Sequence, residues 1–349
     1  MSKFRPTMRT TISSNLQRIR TSFTGKRKIH SSLPSLGILH HEWVVGGAKN
    51  DSTSTNQNKN EGGTVLFLHG LLGNGKNLRG TAKRLMSQNP NLKALLIDLR
   101  GHGSSSIQNE PNNQNLFSPP HTMKSCANDI VETMRSLGLA GHQSPIGVVG
   151  HSFGGRCALQ YLHATKFSEE ILPKASVVNP PRHTWLLDTV PGQAHGSVSR
   201  VIEAVSSVPM PIDNKNELVR ILVEEKQISK EIALWMTTNL KRVDASGFAF
   251  TFNLEIVQSI LKDFPNQNFL ELLSQSLSEQ TGKDRNNIHL VMAGKNDGWS
   301  QEIMQSLNEI KKKYKDQSCF DLIRLKNAGH WVHVDDLDGL MIAMKDGFI

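Results

Sequence analysis

Ile146-Gly147-Val148-Val149-Gly150-His151-Ser152-Phe153-Gly154-Gly155 decides how this chain is read. Its first four residues, mostly branched and apolar, describe a buried strand. Arg156 to Ala164 is helix-capable, with Ala158, Leu159 and Leu162 available for one buried face. A G-x-S-x-G sequence between a buried strand and a helix makes a sharp turn that holds the serine hydroxyl clear of the backbone. Gly150 and Gly154 have no Cβ and let strand and helix approach each other. The helix start favours negative charge. This context predicts Ser152 as a nucleophile rather than an incidental serine in a glycine-rich turn.

Outward from that turn, strands and helices alternate. Leu36–Val45, Thr64–Leu68, Ala94–Asp98, Ile146–Gly150 and Ala175–Val178 read as strands, and Leu78–Ser87 and Thr122–Leu137 as helices. Such alternation predicts an α/β domain with a mostly parallel central sheet flanked by helices. From about 183 to 284 strand character nearly vanishes. Helical segments follow one another near Val198–Val205, Asn216–Glu225, Lys230–Leu240, Glu255–Lys262 and Phe269–Leu277, which predicts an inserted helical cap. The core resumes with Ile288–Ala293, a basic helix around Ile303–Lys313, the strand Phe320–Leu325 and a last helix over Asp336–Phe348. The expected division is therefore core over 35–182, cap over 183–284 and core again over 285–349. Two polar stretches, 46–63 and 108–120, read as surface loops.

A serine nucleophile needs a base, the base an orienting acid, and the reaction an oxyanion hole. In an open α/β sheet these groups gather at the carboxyl ends of strands. His330, just after the last strand in Asn327-Ala328-Gly329-His330-Trp331, is the expected base. Asp297, in Ala293-Gly294-Lys295-Asn296-Asp297, is the expected acid, with Glu255 in reserve from the cap. Asp98 reads as a structural turn residue, and His69, His102 and His151 as residues that shape the pocket or anchor loops. The oxyanion hole is expected from the backbone N–H groups of Leu71 and Phe153. Phe248, Phe250, Phe252, Trp235 and Trp185 are candidates for an apolar substrate wall.

Lys and Arg total 40 against 31 acids, a net charge of +9. Residues 1–34 hold eight basic residues and no acid, so they carry +8 and the rest of the chain +1. The basicity is an N-terminal feature and gives no reason to invoke nucleic acid. Met8, Ile12, Leu16, Ile19 and Phe23 share one helical side. An amphipathic, Arg- and Ser-rich, acid-free start has the composition of an organellar transit peptide. It is read as mitochondrial, addressed to the matrix, with plastid and cytoplasm as alternatives. No apolar run is long enough for a transmembrane segment. Cys126, Cys157 and Cys319 form neither a disulfide framework nor a metal site.

His69-Gly70, Gly150-His151-Ser152-x-Gly154-Gly155, a strand-end Asp and Gly329-His330, in the order Ser, Asp, His, resemble the α/β-hydrolase superfamily over about 36–349. His69-Gly70-Leu71, Asp98-Leu99-Arg100-Gly101-His102-Gly103 and Asn327-Ala328-Gly329-His330-Trp331-Val332-His333 resemble the branch with the bacterial esterase YbfF and the mitochondrial abhydrolase domain-containing esterases. The resemblance implies the α/β-hydrolase fold and a serine esterase acting on a small-molecule ester or thioester, here with an apolar acyl group, without cofactor or metal. Some relatives carry an Asp just after the strand that follows the nucleophile helix, where Asn179 stands here, and some a cap carboxylate where Glu255 falls. Two alternatives remain. One is a C–C bond hydrolase on the same triad, with Arg156 or Arg182 binding a carboxylate. The other is a weakly catalytic receptor or partner protein on a hydrolase scaffold.

Overall fold

Strands β2 (Thr64–Leu68) and β4 (Gly147–His151) are buried at every position, the pattern of strands covered on both faces. The computed structural model describes residues 37–46, 62–106, 117–168, 172–192, 196–244, 246–278, 285–315, 319–345 and 347–348. The expected transit peptide at 1–34 and most of both polar loops lie outside them. Beside β2 and β4 run β1 (His41–Val45), β3 (Lys93–Ile97), β5 (His183–Leu187), β8 (Asn287–Ala293) and β9 (Phe320–Leu325). The seven form one sheet in the order β1-β3-β2-β4-β5-β8-β9. Only β1 is antiparallel to its neighbour; β2–β3, β2–β4, β4–β5, β5–β8 and β8–β9 are parallel.

Alternation along these strands sends side chains to two cores. Leu66, Leu68, Leu95, Ile97 and Val148 pack with α2 (Met123–Ser136) and α3 (Phe153–Lys166) on one face. Val65, Phe67, Ala94, Leu96, Val149 and Trp185 pack with α1 (Arg79–Gln88) and α11 (Leu337–Ala343) on the other. Helix α9 (Gln301–Lys313) carries Leu307 into the first core.

Between β5 and β8 lie α4 (Gly196–Ser206), α5 (Lys215–Arg220) with a π-helical turn at Ile221–Glu225, α6 (Lys230–Thr237), α7 (Leu254–Asp263) and α8 (Phe269–Leu277). The insertion also contains an antiparallel hairpin, β6 (Leu240–Asp244) with β7 (Gly247–Phe250), so it is not purely helical. Helices α4 to α6, the hairpin and part of α7 surround their own core, with Ile202, Leu218, Leu222, Met236 and Val257 inside. Phe269, Leu273 and Leu277 of α8 belong instead to the main core.

Two expectations need correction. Ala175–Val178 is not a strand: Lys174–Ser176 is a single 3-10 turn with exposed side chains. The strand after α3 is β5, in register with β4 from Gly147↔His183 to His151↔Leu187. Pro180 and Pro181 break the chain just ahead of it, and its own Trp185, Leu186 and Leu187 are buried. The cap therefore begins after residue 188, not at 183.

The chain leaves β2 towards β3 and leaves β4 towards β5, on opposite sides. Adjacent strands whose connections diverge open a crevice at their carboxyl ends. The loops that begin at His69 and Ser152 flank that crevice.

Candidate active site

Ser152 has φ 53° and ψ −114°, in the left-handed region that a non-glycine residue enters only under restraint. Its N–H donates to Leu187 O at 2.8 Å, and its carbonyl accepts from Gly155 and Arg156 as α3 begins. The hydroxyl does not cap the helix. A Cβ on Gly150 would stand 2.2 Å from Gly154 O, and one on Gly154 2.1 Å from Leu68 O. Only glycine permits the helix start to sit this close to the strands.

His330 lies after β9, ahead of the short helix α10 (Val332–Asp335). Its Nδ1 is 2.7 Å from Asp188 Oδ2. With Nδ1 donating to that carboxylate, Nε2 is left as the basic nitrogen. The imidazole is 42% exposed and the Asp188 side chain 0%. Asp188 immediately follows β5 with φ 44°, and it gathers three further donors. Ala293 N–H (2.9 Å) and Trp299 Nε1–H (2.8 Å) reach Oδ1, and Asn296 Nδ2–H (2.6 Å) reaches Oδ2.

The carboxylate on His330 is thus Asp188, not the expected Asp297. Asp297 is exposed on the turn after β8. That turn closes on itself through Gly298 N–H to Asn296 Oδ1 and is tied to the segment after β9 through Lys295 N–H to Ala328 O, and Asn296 faces Asp188. Glu255 is exposed in the first turn of α7. Its helix docks on the loop after β3, where Asn253 N–H donates to Gly101 O, two strands from β4 on the side away from β5. The absence of an acid at Asn179 was a consequence of the misplaced strand. Counted from β5, the residue just after the strand is Asp188. The signal was present in Trp185-Leu186-Leu187-Asp188, which repeats the pattern of Leu95-Leu96-Ile97-Asp98.

Phe153 is the first residue of α3 and Leu71 lies in the turn closed by Gly73 N–H to Gly70 O. Neither N–H has a backbone acceptor among the described residues. The Phe153 ring is stacked between His102 at 5.6 Å and Phe264 at 6.1 Å. Leu72, with φ 61°, buries its side chain in the cap core, and Asn74 Nδ2 donates to Asn239 Oδ1 of the cap at 2.8 Å. The cap thereby grips the loop that carries Leu71.

The remaining histidines hold loops. His69 accepts from Leu99 N–H on Nε2 at 2.9 Å and donates from Nδ1 to Gly70 O at 2.7 Å. His102 donates to Arg100 O, and burial pushes its pKa down to about 3. His151 Nε2–H donates to His330 O at 2.8 Å, tying the loop after β9 to the end of β4. Burial, then His333 and His330, hold His151 well below the usual histidine range. His333 is buried on α10, with its pKa lowered to about 4, first by burial and then by His330. Asp98 is a turn residue as expected, accepting from Gly75 N–H and Ser104 N–H.

Trp235 of the cap packs on Trp331 at 5.7 Å, beside His330. Phe250 stacks on Phe252 at 4.7 Å, and Phe252 is buried in the cap core. Trp185, a candidate for the substrate wall, is instead buried in the core that packs against α1 and α11. Arg156 is buried, and its guanidinium donates to the carbonyls of Val190 and Gly192. Arg182 is exposed at the amino end of β5. Neither is placed to bind a substrate carboxylate beside Ser152.

The model of the alpha/beta hydrolase family matches residues 65–341. The chain is 26% identical over 283 residues to the "sn-1-specific diacylglycerol lipase ABHD11" of Danio rerio, covering 79% of this chain and 75% of the relative. It is 27% identical over 288 residues to the protein of the same name from Mus musculus, covering 80% and 79%. Among solved structures, a marine microorganism esterase superposes with a TM-score of 0.62 at 19% identity, over 90% of this chain and 100% of that one. That likeness speaks for the fold.

Proposed function

The chain belongs to the alpha/beta hydrolase family, and we propose that it is a carboxylic ester hydrolase working through Ser152, His330 and Asp188 with an acyl-enzyme intermediate. One observation carries this reading. A solvent-facing imidazole is hydrogen-bonded through Nδ1 to a fully buried carboxylate, at the crevice where Ser152 stands on its strained turn. Ester cleavage is also the chemistry in the names of the lipase and esterase relatives.

In the proposed cycle Ser152 Oγ attacks the ester or thioester carbonyl while His330 Nε2 removes its proton. Asp188 holds the imidazole in the required tautomer and stabilises the imidazolium. The N–H groups of Leu71 and Phe153 receive the oxyanion, each donor contributing about 3 kcal/mol of transition-state stabilisation. His330 then protonates the leaving oxygen or sulfur, and a water activated by the same nitrogen releases the acid. Trp235, Trp331 and the outer cap residues favour an apolar acyl group. Residues 1–34 supply a mitochondrial address in this reading.

The test is labelling of residues 35–349 by a fluorophosphonate beside the Ser152→Ala variant, with a panel of p-nitrophenyl esters and acyl thioesters. Labelling lost in Ser152→Ala, with turnover of an acyl chain-length class, supports the proposal. An unlabelled folded protein overturns it and favours a receptor on a hydrolase scaffold. Residues 1–34 fused to a fluorescent protein should direct it into mitochondria; a cytosolic fusion removes that part of the reading.

A further inference from the structure

We propose that Asn296 and Trp299 are positioning residues that set the basicity of His330 by holding the Asp188 carboxylate, an inference that rests on the serine-hydrolase reading above. The turn after β8, where Asp297 was the expected acid, meets the carboxylate on His330. It contributes donors to the acid rather than the acid itself.

The geometry is specific. Trp299 Nε1–H and Asn296 Nδ2–H reach different oxygens of Asp188, at 2.8 and 2.6 Å. Asn296 shares its oxygen with His330. The Asn296 amide has a defined orientation, because its Oδ1 accepts from Gly298 N–H and its NH2 must then face Asp188. Trp299 is held between Gly298 and Ser300, whose side chain caps α9. A carboxylate bound to the imidazole alone could rotate and offer either oxygen. The two side-chain donors and Ala293 N–H leave it one orientation.

These donors also draw on the carboxylate charge. Each hydrogen bond to a carboxylate stabilises the ionised form and lowers its basicity. A donor removed from Asp188 would strengthen the hold of its carboxylate on the imidazolium of His330. The other groups around His330 are His151 at the end of β4, His333 on α10 and Asp335, which accepts from Gly329 N–H at 2.8 Å. Lys295 and Asp297 flank Asn296 and are exposed. None of these donates to Asp188 among the described hydrogen bonds, which leaves Asn296 and Trp299 as its side-chain donors besides His330.

The experiment compares wild type with Trp299→Phe and Asn296→Ala, using p-nitrophenyl butyrate hydrolysis from acid to neutral pH and a thermal melt of each protein. Removing a donor should raise the basicity of Asp188 and hence the pKa of His330. The acid limb of kcat/KM, which reports the free base, should move to higher pH by roughly half a unit to one unit. At neutral pH kcat should fall about ten-fold with KM little changed. A purely structural role would lower activity without moving the limb, so an unmoved limb in the folded variants overturns the proposal. If one variant does not fold, the other decides. Asp188→Asn separates this inference from the reading beneath it. If Asp188→Asn keeps normal turnover, the triad reading fails. If it loses turnover while the limb stays put in Trp299→Phe and Asn296→Ala, only the positioning role fails.

Discussion

Two of the aspartate–histidine pairs among the described residues are of nearly equal length and lie towards opposite ends of the sheet. At the carboxyl end His330 Nδ1 meets Asp188 at 2.7 Å; towards the amino end His289 Nδ1 meets Asp321 at 2.9 Å. Their burial is inverted. Asp188 is dry and His330 is 42% exposed, whereas His289 is 11% exposed and Asp321 52%. His289 is stacked on Trp185 at 4.0 Å, and its other nitrogen meets His183 at 3.3 Å. A hydrogen bond between carboxylate and imidazole does not by itself make a catalytic site. The carboxylate must be shielded so that its charge acts on the imidazole, and the imidazole must be free on the side of the reacting atom. The lower pair has the reverse arrangement and no serine on a strained turn beside it.

Four experiments test this contrast. Asp188→Asn should lower kcat by about a thousand-fold or more while the protein stays folded, since an amide offers the imidazole the wrong partner; turnover within a few-fold of wild type would place the acid elsewhere. Trp185→Ala should remove about 3–5 kcal/mol of stability, measured by denaturant titration, by emptying the space beneath His289; a loss under about 1 kcal/mol would mean the lower pair does not depend on that stack.

The pH dependence of stability comes next. His102, His333 and His183 have folded pKa values of about 3, 4 and 4, each lowered first by burial. In the unfolded chain they titrate near 6.5, so below that pH the unfolded state binds more protons and stability falls. His102 and His333, the two fully buried ones, should each remove roughly 1 kcal/mol per unit between about pH 6 and 5. A flat denaturation midpoint across that window would show that these rings are not held neutral.

The smallest effects belong to the exposed carboxylates. Asp297→Asn, Glu255→Gln and Asp321→Asn should each leave kcat within about two-fold and stability within about 0.5 kcal/mol. A large loss of kcat in the first or second would restore the acid that the sequence suggested, and one in the third would give the lower pair a function.

The α/β alternation, the turn at Ser152 and the histidine after the last strand follow from hydrophobic runs, glycine spacing and chain order. Each is a local property, because a buried strand and a tight turn need particular residue types within a few positions. The carboxylate that meets His330 was not local in this way. Two short apolar runs, Ala175–Val178 and His183–Leu187, both suit a strand, and pairing with β4 and β8 selects the second. On the turn after β8 the right loop was legible but not the residue that faces inward. Hydrogen bonds from Gly298 and to Asp188 turn Asn296 towards the sheet.

Sequence alone therefore determined the fold class, the tight turn at Ser152 and the position of His330 after the last strand, since strand burial, glycine approach and chain order are written in consecutive residues. Tertiary structure alone decided that Asp188 meets His330, that Asn296 and Trp299 donate to Asp188, and that His183–Leu187 belongs to the sheet. These depend on the register between strands and on the direction of single side chains, which are fixed by partners more than a hundred residues away.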